Sequence, residues 1–338
     1  MTFEDKISVV VCTYNQEATI ARALDSILRQ NCSWPMEIII GDDYSTDGTG
    51  DICRRYADLH PDCIRYVRNL ANKGVRDNYF DCLLRARGKY IADLAGDDEW
   101  CDHYKLEPEL HVLEEHPDVV LVHTDYRLRN EDDGQLSLSP WYTMPRGITD
   151  GRLLTSDIIM QLSRPVVHLC TAMYRNDAFR RCYASRTPFF RHPAYPCEDL
   201  QLVAFLSHEG KFAYLDTVTL NYSTGRSVSK TRDDVRQFDF VWRVTQLGHD
   251  LQMALKIADD DRLRRYYAYR VYALMMHAFR AHRPDLREQA RRCAHRWHAR
   301  PELRTVVVAA ITSCEWVWRA ALAGRRRLIG LNKTKHRP

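Results

Sequence analysis

The sequence predicts an α/β fold: a doubly wound half built on a parallel sheet, followed by a helical extension. Three observations predict it. Short apolar, β-branched runs recur from Ile7 to His123. Segments with helical periodicity lie between them, so strand and helix alternate as in βαβ units. Beyond Thr231 strand signals nearly cease and long amphipathic helical patterns take over.

The elements follow in order. Residues 7–12, ISVVVC, form a first buried strand. Residues 18–30 place Ile20, Ala23, Leu24, Ile27 and Leu28 on one helical face. EIIIG at 37–41 is the second strand, 49–59 a helix and 64–67 a third strand. A helix over 78–87 precedes strands at 90–94 and 119–123. From 131 to 155 the pattern is broken by Asp133-Gly134, Pro140, Pro145 and Gly147, which predicts an irregular connection. Residues 163–174 read as a strand region, 197–210 as helical and 211–222 as extended. Residues 233–257, 261–281 and 284–300 read as amphipathic helices, with Pro284 near a start and Pro301 just past an end. The domains expected are 1–230 and a helical, basic extension over 231–338.

Composition narrows the class. Of 338 residues, 45% are hydrophobic and 28% charged, which excludes a disordered chain, a collagen-like chain and a polytopic membrane protein. The net charge of +4 conceals an asymmetry. From Arg280 onward there are 15 basic residues against 4 acidic ones, so the preceding body is mildly acidic. The 11 cysteines include no C-x-x-C pair and no zinc-like spacing, and reduced, mostly buried thiols are expected. The first residues, MTFEDKISVVVCTYN, lack the basic and long apolar regions of a signal peptide, so a cytoplasmic body is expected.

Ligands of open α/β sheets bind beyond the carboxyl ends of the strands. Three such ends are polar here: Thr13-Tyr14-Asn15-Gln16-Glu17, Asp42-Asp43-Tyr44-Ser45-Thr46-Asp47, and Gly96-Asp97-Asp98-Glu99-Trp100. Each has a plain structural explanation as a turn or helix cap. All three at one sheet edge point to a site. Adjacent carboxylates at Asp97 and Asp98 repel unless a cation lies nearby, and magnesium-like sites use one or two carboxylates plus substrate phosphates. Asp42 is placed to accept from a base N–H or a ribose hydroxyl. No P-loop and no G-x-G-x-x-G follows a strand, which argues against a P-loop NTPase and a dinucleotide enzyme.

The ordered stretch VVVCTYNQEATIARALDSIL, EIIIGDDYSTDGT, NKGVRDN and ARGKYIADLAGDDEW resembles the family-2 glycosyltransferases of bacterial surface-polysaccharide synthesis. The resemblance is dense up to about the fifth strand and weaker from Cys197-Glu198-Asp199-Leu200 to Ser229. It implies the GT-A nucleotide-diphospho-sugar transferase fold, a Rossmann-like mixed sheet, here with a C-terminal α-helical extension. It also implies a divalent cofactor, Mn2+ or Mg2+, a donor such as a UDP-sugar, and a glycan or lipid-linked acceptor. Thr13, Tyr14, Asn15 and Glu17 match the first nucleotide-binding motif. Asp42 and Asp43 match the acids that contact uracil and ribose. Asn72, Lys73, Gly74 and Asn78 match a loop lining the nucleotide. Asp97 and Asp98 match the metal-binding acids, with Asp97 also touching the nucleotide and the first choice as direct ligand. The family often carries an acid two places before Asp97. Ala95 stands there, so a sugar or ribose contact is missing or supplied elsewhere.

Glu198-Asp199 resembles the family's Glu-Asp motif, which implies Asp199 as general base and Glu198 as its orienting or acceptor-binding neighbour. Inverting transfer asks for such a carboxylate on the face opposite the leaving diphosphate. The plain alternative is a pair of acids opening a helix. The histidine usual after the family's tyrosine is absent beyond Tyr222, which makes Arg226 a candidate for the diphosphate. Trp100, Trp141 and Tyr142 are candidates for stacking on sugars, though burial explains any one of them. At the basic end, the apolar run 303–323 carries Trp316 and Trp318, and Arg325-Arg326-Arg327 follow. Glu315 near its centre disfavours a spanning helix and favours an interfacial one on the inner face of the cell membrane. No recognition motif for nucleic acid accompanies the charge. The competing readings are a non-catalytic nucleotide-sugar-binding or scaffold subunit, and a nucleotidyltransferase, whose basic glycine-rich loop is absent.

Overall fold

The computed structural model describes residues 4–138, 147–160, 166–224, 233–300 and 302–324. The chain divides into two compact units, Met1–Arg226 and Ser227–Pro338. The first opens with β1 (Glu4–Thr13), α1 (Ile20–Leu28), β2 (Met36–Asp42), α2 (Thr49–Leu59), β3 (Ile64–Arg68), α3 (Val75–Leu83) and β4 (Gly88–Ala95). The alternation expected from the sequence is there. The runs at Ile7–Val11 and Ile38–Ile40 are buried, because a sheet covered by helices on both faces needs apolar residues on both. α1 sets Ile20, Ala23, Leu24 and Ile27 into that core. Burying each of the Ile and Leu side chains contributes about 1.5–3 kcal/mol.

The unit continues with β5 (Glu99–Trp100), α4 (Leu106–Glu115), β6 (Val119–Asn130), β7 (Leu136–Leu138), β8 (Gly147–Asp150) and α5 (Gly151–Met160). β9 (Ala172–Arg175), α6 (Asn176–Phe190), α7 (Asp199–Leu206) and β10 (Lys211–Thr224) complete it. The sheet order is β3-β2-β1-β4-β9-β6-β10-β5, with β7 beside β6 and β8 beside β10. β1 to β4 are parallel; β9 enters antiparallel between β4 and β6, which makes the sheet mixed. Connections run outward from β1 to β2 and β3, then return to β4 on its other side. The ends of β1 and β4 are therefore a switch point, where such sheets leave a crevice.

Segments of this unit depart from the expectation. Of the strand region expected at 163–174, the described part is strand only from Ala172, after a 3-10 turn at Leu169–Thr171. The stretch after β6 is not wholly irregular. It turns at Gly134 (φ +70°), where the Asp133 carboxylate accepts from the Gln135 amide, and returns as β7. β7 is three exposed residues, Leu-Ser-Leu, with no buried face to give a pattern. β8 and α5 follow before residue 161. α6 is a second addition; Arg186 leaves helical geometry and Pro188 interrupts it, so its periodicity is broken by a kink.

The second unit holds α8 (Asp234–Ala254), α9 (Asp261–Ala281), α10 (Pro284–Arg296), α11 (Leu303–Ser313) and α12 (Glu315–Gly324). Asp233 and Asp260 cap α8 and α9 through their carboxylates, and Pro284 opens α10. Asp234 on α8 accepts from Arg280 on α9 at 2.7 Å. The run 303–323 is not one helix. α11 and α12 are bent by 114° at their junction. Trp318 is buried and donates its indole N–H to the Phe279 carbonyl at 2.9 Å. The two tryptophans therefore do not share one side. No single helix among the described residues is long and apolar enough to cross a membrane; the bent pair passes by length and composition together. All 11 cysteines are free thiols.

Candidate active site

The register of the sheet brings the polar strand ends together. Thr13 lies opposite Asp42, and Cys12 opposite Ala95. The Asp43 amide donates to the Thr13 carbonyl at 3.0 Å and the Gly96 amide to the Cys12 carbonyl at 3.1 Å, so both loops continue the pairing past the strands. Asn15, with φ 52°, accepts from the Thr46 amide through Oδ1, and Glu17 accepts from the Gly48 amide at 2.7 Å. These two side chains staple the loop after β1 to the loop after β2. Tyr14 stands between them half exposed. Gly96 is required by the close approach of the third loop: a Cβ there would lie 2.5 Å from Gln16 Oε1 and 2.9 Å from Thr13 Oγ1.

Asp42 and Asp43 are both buried and already engaged. Asp42 accepts from the Ser45 amide and from the Tyr66 hydroxyl, each at 2.8 Å. Asp43 accepts from Asn69 and the Lys73 amide through Oδ1, and from the Gly74 amide through Oδ2. It thereby shapes the loop ahead of α3, whose turn needs the positive φ of Gly74. Asn78 is buried and donates to the Gly41 carbonyl at 2.8 Å, tying α3 to β2. Lys73 pairs with Asp81. Of the residues expected to line a nucleotide, Tyr14, Lys73 and the backbone at Asn72–Gly74 face outward, whereas Asp42, Asp43 and Asn78 hold that surface from beneath.

Asp97 and Asp98 sit at the end of β4. Asp98 is buried; Oδ1 accepts from the Ser223 amide at 2.9 Å, while Oδ2 makes no hydrogen bond of standard geometry among the described residues. Burial raises the pKa of both acids, and the charge of Asp97 raises Asp98 further. A clamp surrounds them. Arg22 on α1 donates to the Asp97 carbonyl at 3.0 Å and to Glu131 at 2.8 Å, and Ser223 at the end of β10 bonds the same carbonyl and Glu131. The arginine charge is shared between Glu131 and the acidic pair, whose pKa values burial still holds up. Among the described residues no three His, Cys, Asp or Glu side chains form a metal ligand set of their own. The Asp98 Oδ2, with no hydrogen bond of standard geometry, beside half-buried Asp97 fits a hard divalent cation that takes its other ligands from a diphosphate and water.

The second acidic pair opens α7. Glu198 and Asp199 are half-buried. Asp199 accepts from the Leu200 amide at 2.7 Å, and burial raises its pKa. Glu198 is pushed up to about 8, first by burial, then by the Asp199 and Asp93 charges. Asp93, on β4 and missed by the sequence reading, is a further buried acid whose charge is felt near both pairs. It acts on Glu198 on one side and, like Asp98, on the Cys170 thiol on the other. Burial lifts its pKa to about 7, with the Tyr174 and Tyr79 hydroxyls opposing.

Because the folded value for Asp93 lies above the ordinary 3.8, its neutral form is the one the fold favours. The stability it contributes is complete below about pH 4 and is lost as pH rises through about 7. Asp93→Asn should therefore match wild type near pH 4 and exceed it above pH 7 by on the order of 1–3 kcal/mol, read by urea unfolding at the two pH values. An equal difference at both would remove Asp93 as the titrating group.

Trp100 does not face a sugar. It is buried, donates to the Cys170 carbonyl at 2.8 Å and lies under Lys105 at 4.8 Å; core packing won over surface stacking. The aromatics beside the acidic pair are Tyr222, His168 and Tyr126, with ring centroids 4.6 Å apart for His168–Tyr222 and 4.9 Å for Tyr126–His168. Neither His168 nor Tyr126 had a sequence signal, because Tyr126 arrives on β6 and His168 from the connection ahead of β9. Trp141, Tyr142 and Arg226 lie outside the described residues.

Comparison with known proteins follows this geometry. A model of glycosyl transferase family 2 matches residues 8–182. An uncharacterized Mycobacterium tuberculosis protein, Rv1520, is 37% identical over 153 residues, 45% of this chain and 44% of that one. The Bacillus subtilis protein EpsE, named as a glycosyltransferase, is 39% identical over 179 residues, 52% of this chain and 58% of that one. Escherichia coli WfaP, a UDP-Glc:alpha-D-GlcNAc-diphosphoundecaprenol beta-1,3-glucosyltransferase, is 37% identical over 111 residues, 32% of this chain and 41% of that one. The chain spans about half the length of these curated relatives. Among solved structures, S. aureus TarS 1-349 in complex with UDP-GlcNAc superposes with a TM-score of 0.54 at 16% identity, over 87% of this chain and 92% of that one. The mannosyltransferase PcManGT from Pyrobaculum calidifontis, in complex with GDP-Man and Mn2+, gives 0.50 at 18% identity, over 97% and 86%. At these identities the structures speak for the fold, which is GT-A.

Proposed function

Because the chain belongs to glycosyl transferase family 2, of the bacterial surface-polysaccharide type, we propose that it is an inverting glycosyltransferase. It moves a hexosyl or N-acetylhexosaminyl group from a nucleotide-diphosphate donor, a UDP-sugar, to a hydroxyl of a glycan or lipid-linked acceptor. Residues 1–230 are the transferase domain and 231–338 the helical extension. The observation that carries the reading is the acidic pair after β4, Asp97-Asp98 with the Asp98 Oδ2 lacking a hydrogen bond of standard geometry, held against the loops after β1 and β2.

Each residue then has a task. Thr13, Tyr14, Asn15 and Glu17, with Lys73 and Gly74, frame the nucleotide; Asp42, Asp43 and Asn78 fix that frame from below. Asp97 and Asp98 hold a Mn2+ or Mg2+ ion, which when bound supplies the charge that neutralises the leaving diphosphate. Asp199, ionised, takes the proton of the acceptor hydroxyl as its oxygen bonds to the anomeric carbon and the bond to the diphosphate breaks. Burial that raises a carboxylate's pKa makes it a stronger base. Glu198, protonated near neutrality, donates a hydrogen bond to the acceptor. The protein works in the cytoplasm, on the inner face of the cell membrane. Ala95, where the family often has an acid, favours a second reading as a nucleotide-sugar-binding scaffold.

A panel of nucleotide sugars separates the two. The expected result is slow hydrolysis of at least one UDP-sugar in Mn2+, with GDP-sugars turned over at least tenfold more slowly, the range one well-matched set of polar base contacts gives. Binding of UDP-sugars with no hydrolysis and no transfer to any acceptor supports the scaffold reading; no binding of any nucleotide sugar overturns both.

A further inference from the structure

The second unit carries a face that its own fold does not use. α11 turns Thr305 and Thr312 inward, and its Val308 and Ile311 pack against Phe279, Trp318 and Leu322. The opposite side of α11 is Leu303, Val306, Val307 and Ala310, one helical stripe, and all four are exposed, Leu303 at 80%. A helix lying on a core in water carries polar residues on that side; this one is apolar on both. Beyond the bend, α12 exposes Trp316 at 74%, with Arg319 one turn on.

Charge identifies what covers this face. Residues 280–338 hold 15 basic residues against 4 acidic ones. Each acid is already matched within the stretch: Asp285 by Arg283, Glu288 by Arg291, Glu302 by Arg304, and Glu315 by Arg319. The excess is therefore all positive, and Arg325-Arg326-Arg327 extend it directly after α12. A second copy of the chain would bring the same charge to the same face. A nucleic acid would leave the stripe and Trp316 in water. An anionic bilayer satisfies both halves, since the headgroup layer takes arginines while the boundary below takes tryptophan and aliphatic side chains.

We propose that the α11–α12 face docks on an anionic lipid bilayer, with Leu303, Val306, Val307 and Trp316 entering the headgroup–acyl boundary. The inference deepens the proposed function and rests on its membrane-borne acceptor. It also separates the roles of the two tryptophans: Trp316 meets lipid and Trp318 holds the unit together.

The test is cosedimentation of the full chain with phosphatidylglycerol vesicles and with phosphatidylcholine vesicles. Binding to the anionic vesicles is expected, weakening about fivefold for each basic residue removed by Arg325→Gln, Arg326→Gln and Arg327→Gln. The double variant Val306→Asp, Val307→Asp should bind roughly a hundredfold more weakly, the effect of losing two apolar insertions, with an unchanged circular dichroism spectrum. Both positions are exposed, so the fold tolerates the change. Trp316→Phe should remove the blue shift of tryptophan fluorescence on vesicle addition. Failure to bind phosphatidylglycerol, equal binding to both vesicles, or an unaffected double variant overturns the proposal. A dimer in light scattering that the double variant dissociates, without vesicle binding, assigns the face to a second copy instead. Hydrolysis of the nucleotide sugar in solution stays at the wild-type rate in these variants, so the docking face and the transfer reaction fail independently.

Discussion

Asp199→Asn is expected to lower kcat for transfer by about 10³-fold while leaving UDP binding within about twofold, because a positioned general base contributes 10²–10⁴-fold. The substitution is nearly isosteric. The amide oxygen still accepts from the Leu200 amide, the bond that fixes the side chain at the start of α7. What disappears is the ability to take a proton. In the wild type the rate should rise with pH as Asp199 ionises, and that limb sits above the ordinary carboxylate range because burial raises the group. The variant's residual rate should lack it. Glu198→Gln is the informative contrast. Glu198 is pushed up to about 8 and is already neutral at pH 7, so an amide replaces a protonated acid and the loss should be at least tenfold smaller. Steady-state rates from pH 5.5 to 8.5 for both variants check this. A D199N enzyme with the wild-type pH profile would move the base to another residue.

The order of elements was legible because burial on both sheet faces leaves long apolar runs, as at Ile38–Ile40, and because α1 repeats its apolar residues every three or four positions. Strand-end acids were legible for a different reason: any one has a plain explanation as a turn or cap, but adjacent carboxylates at Asp97-Asp98 repel, and three polar ends recur along one sheet edge. What stayed hidden depends on partners far apart in the chain. Asp93 sits in a run, YIADLA, that reads as an ordinary strand; only its neighbours Tyr79 and Tyr174 reveal a buried acid. Trp100 follows an acidic loop and leaves stacking on a sugar and burial both open in the sequence; Cys170 and Lys105 decide for burial. Glu131 and Ser223 are plain polar residues until β6 and β10 end beside Arg22. Asp42 and Asp43 match a motif for ligand contact, and the sheet spends their oxygens on Tyr66, Ser45 and the loop ahead of α3. A motif records which residues occur at a site; it does not record which of their atoms remain free.

That distinction sets the second large effect, at Asp97. Asp97→Asn should weaken UDP binding in Mn2+ about a hundredfold and leave metal-free binding nearly unchanged, since a divalent ion contributes several kcal/mol of charge stabilisation at a diphosphate. The amide is nearly isosteric with the carboxylate, so it fits at this half-buried position without repacking. Asp98 cannot replace it: its Oδ1 is committed to the Ser223 amide, and one buried oxygen remains. Arg22 supplies the control. Among the described residues it bonds the loop through the Asp97 carbonyl and holds it against Glu131 and Ser223, so it is a positioning residue. Arg22→Ala removes the clamp and leaves both acids present. The metal-dependent part of UDP binding should then weaken by about tenfold, the range seen when outer-shell partners of a metal ligand are removed, with metal-free binding unaffected. Arg22→Lys keeps the charge without the forked geometry and should recover only part of the loss. Calorimetry of UDP with and without Mn2+ reads all three variants on one scale. Equal losses with and without metal in Asp97→Asn would mean that Asp97 touches the nucleotide directly, and the ion would then have to rest on Asp98 alone.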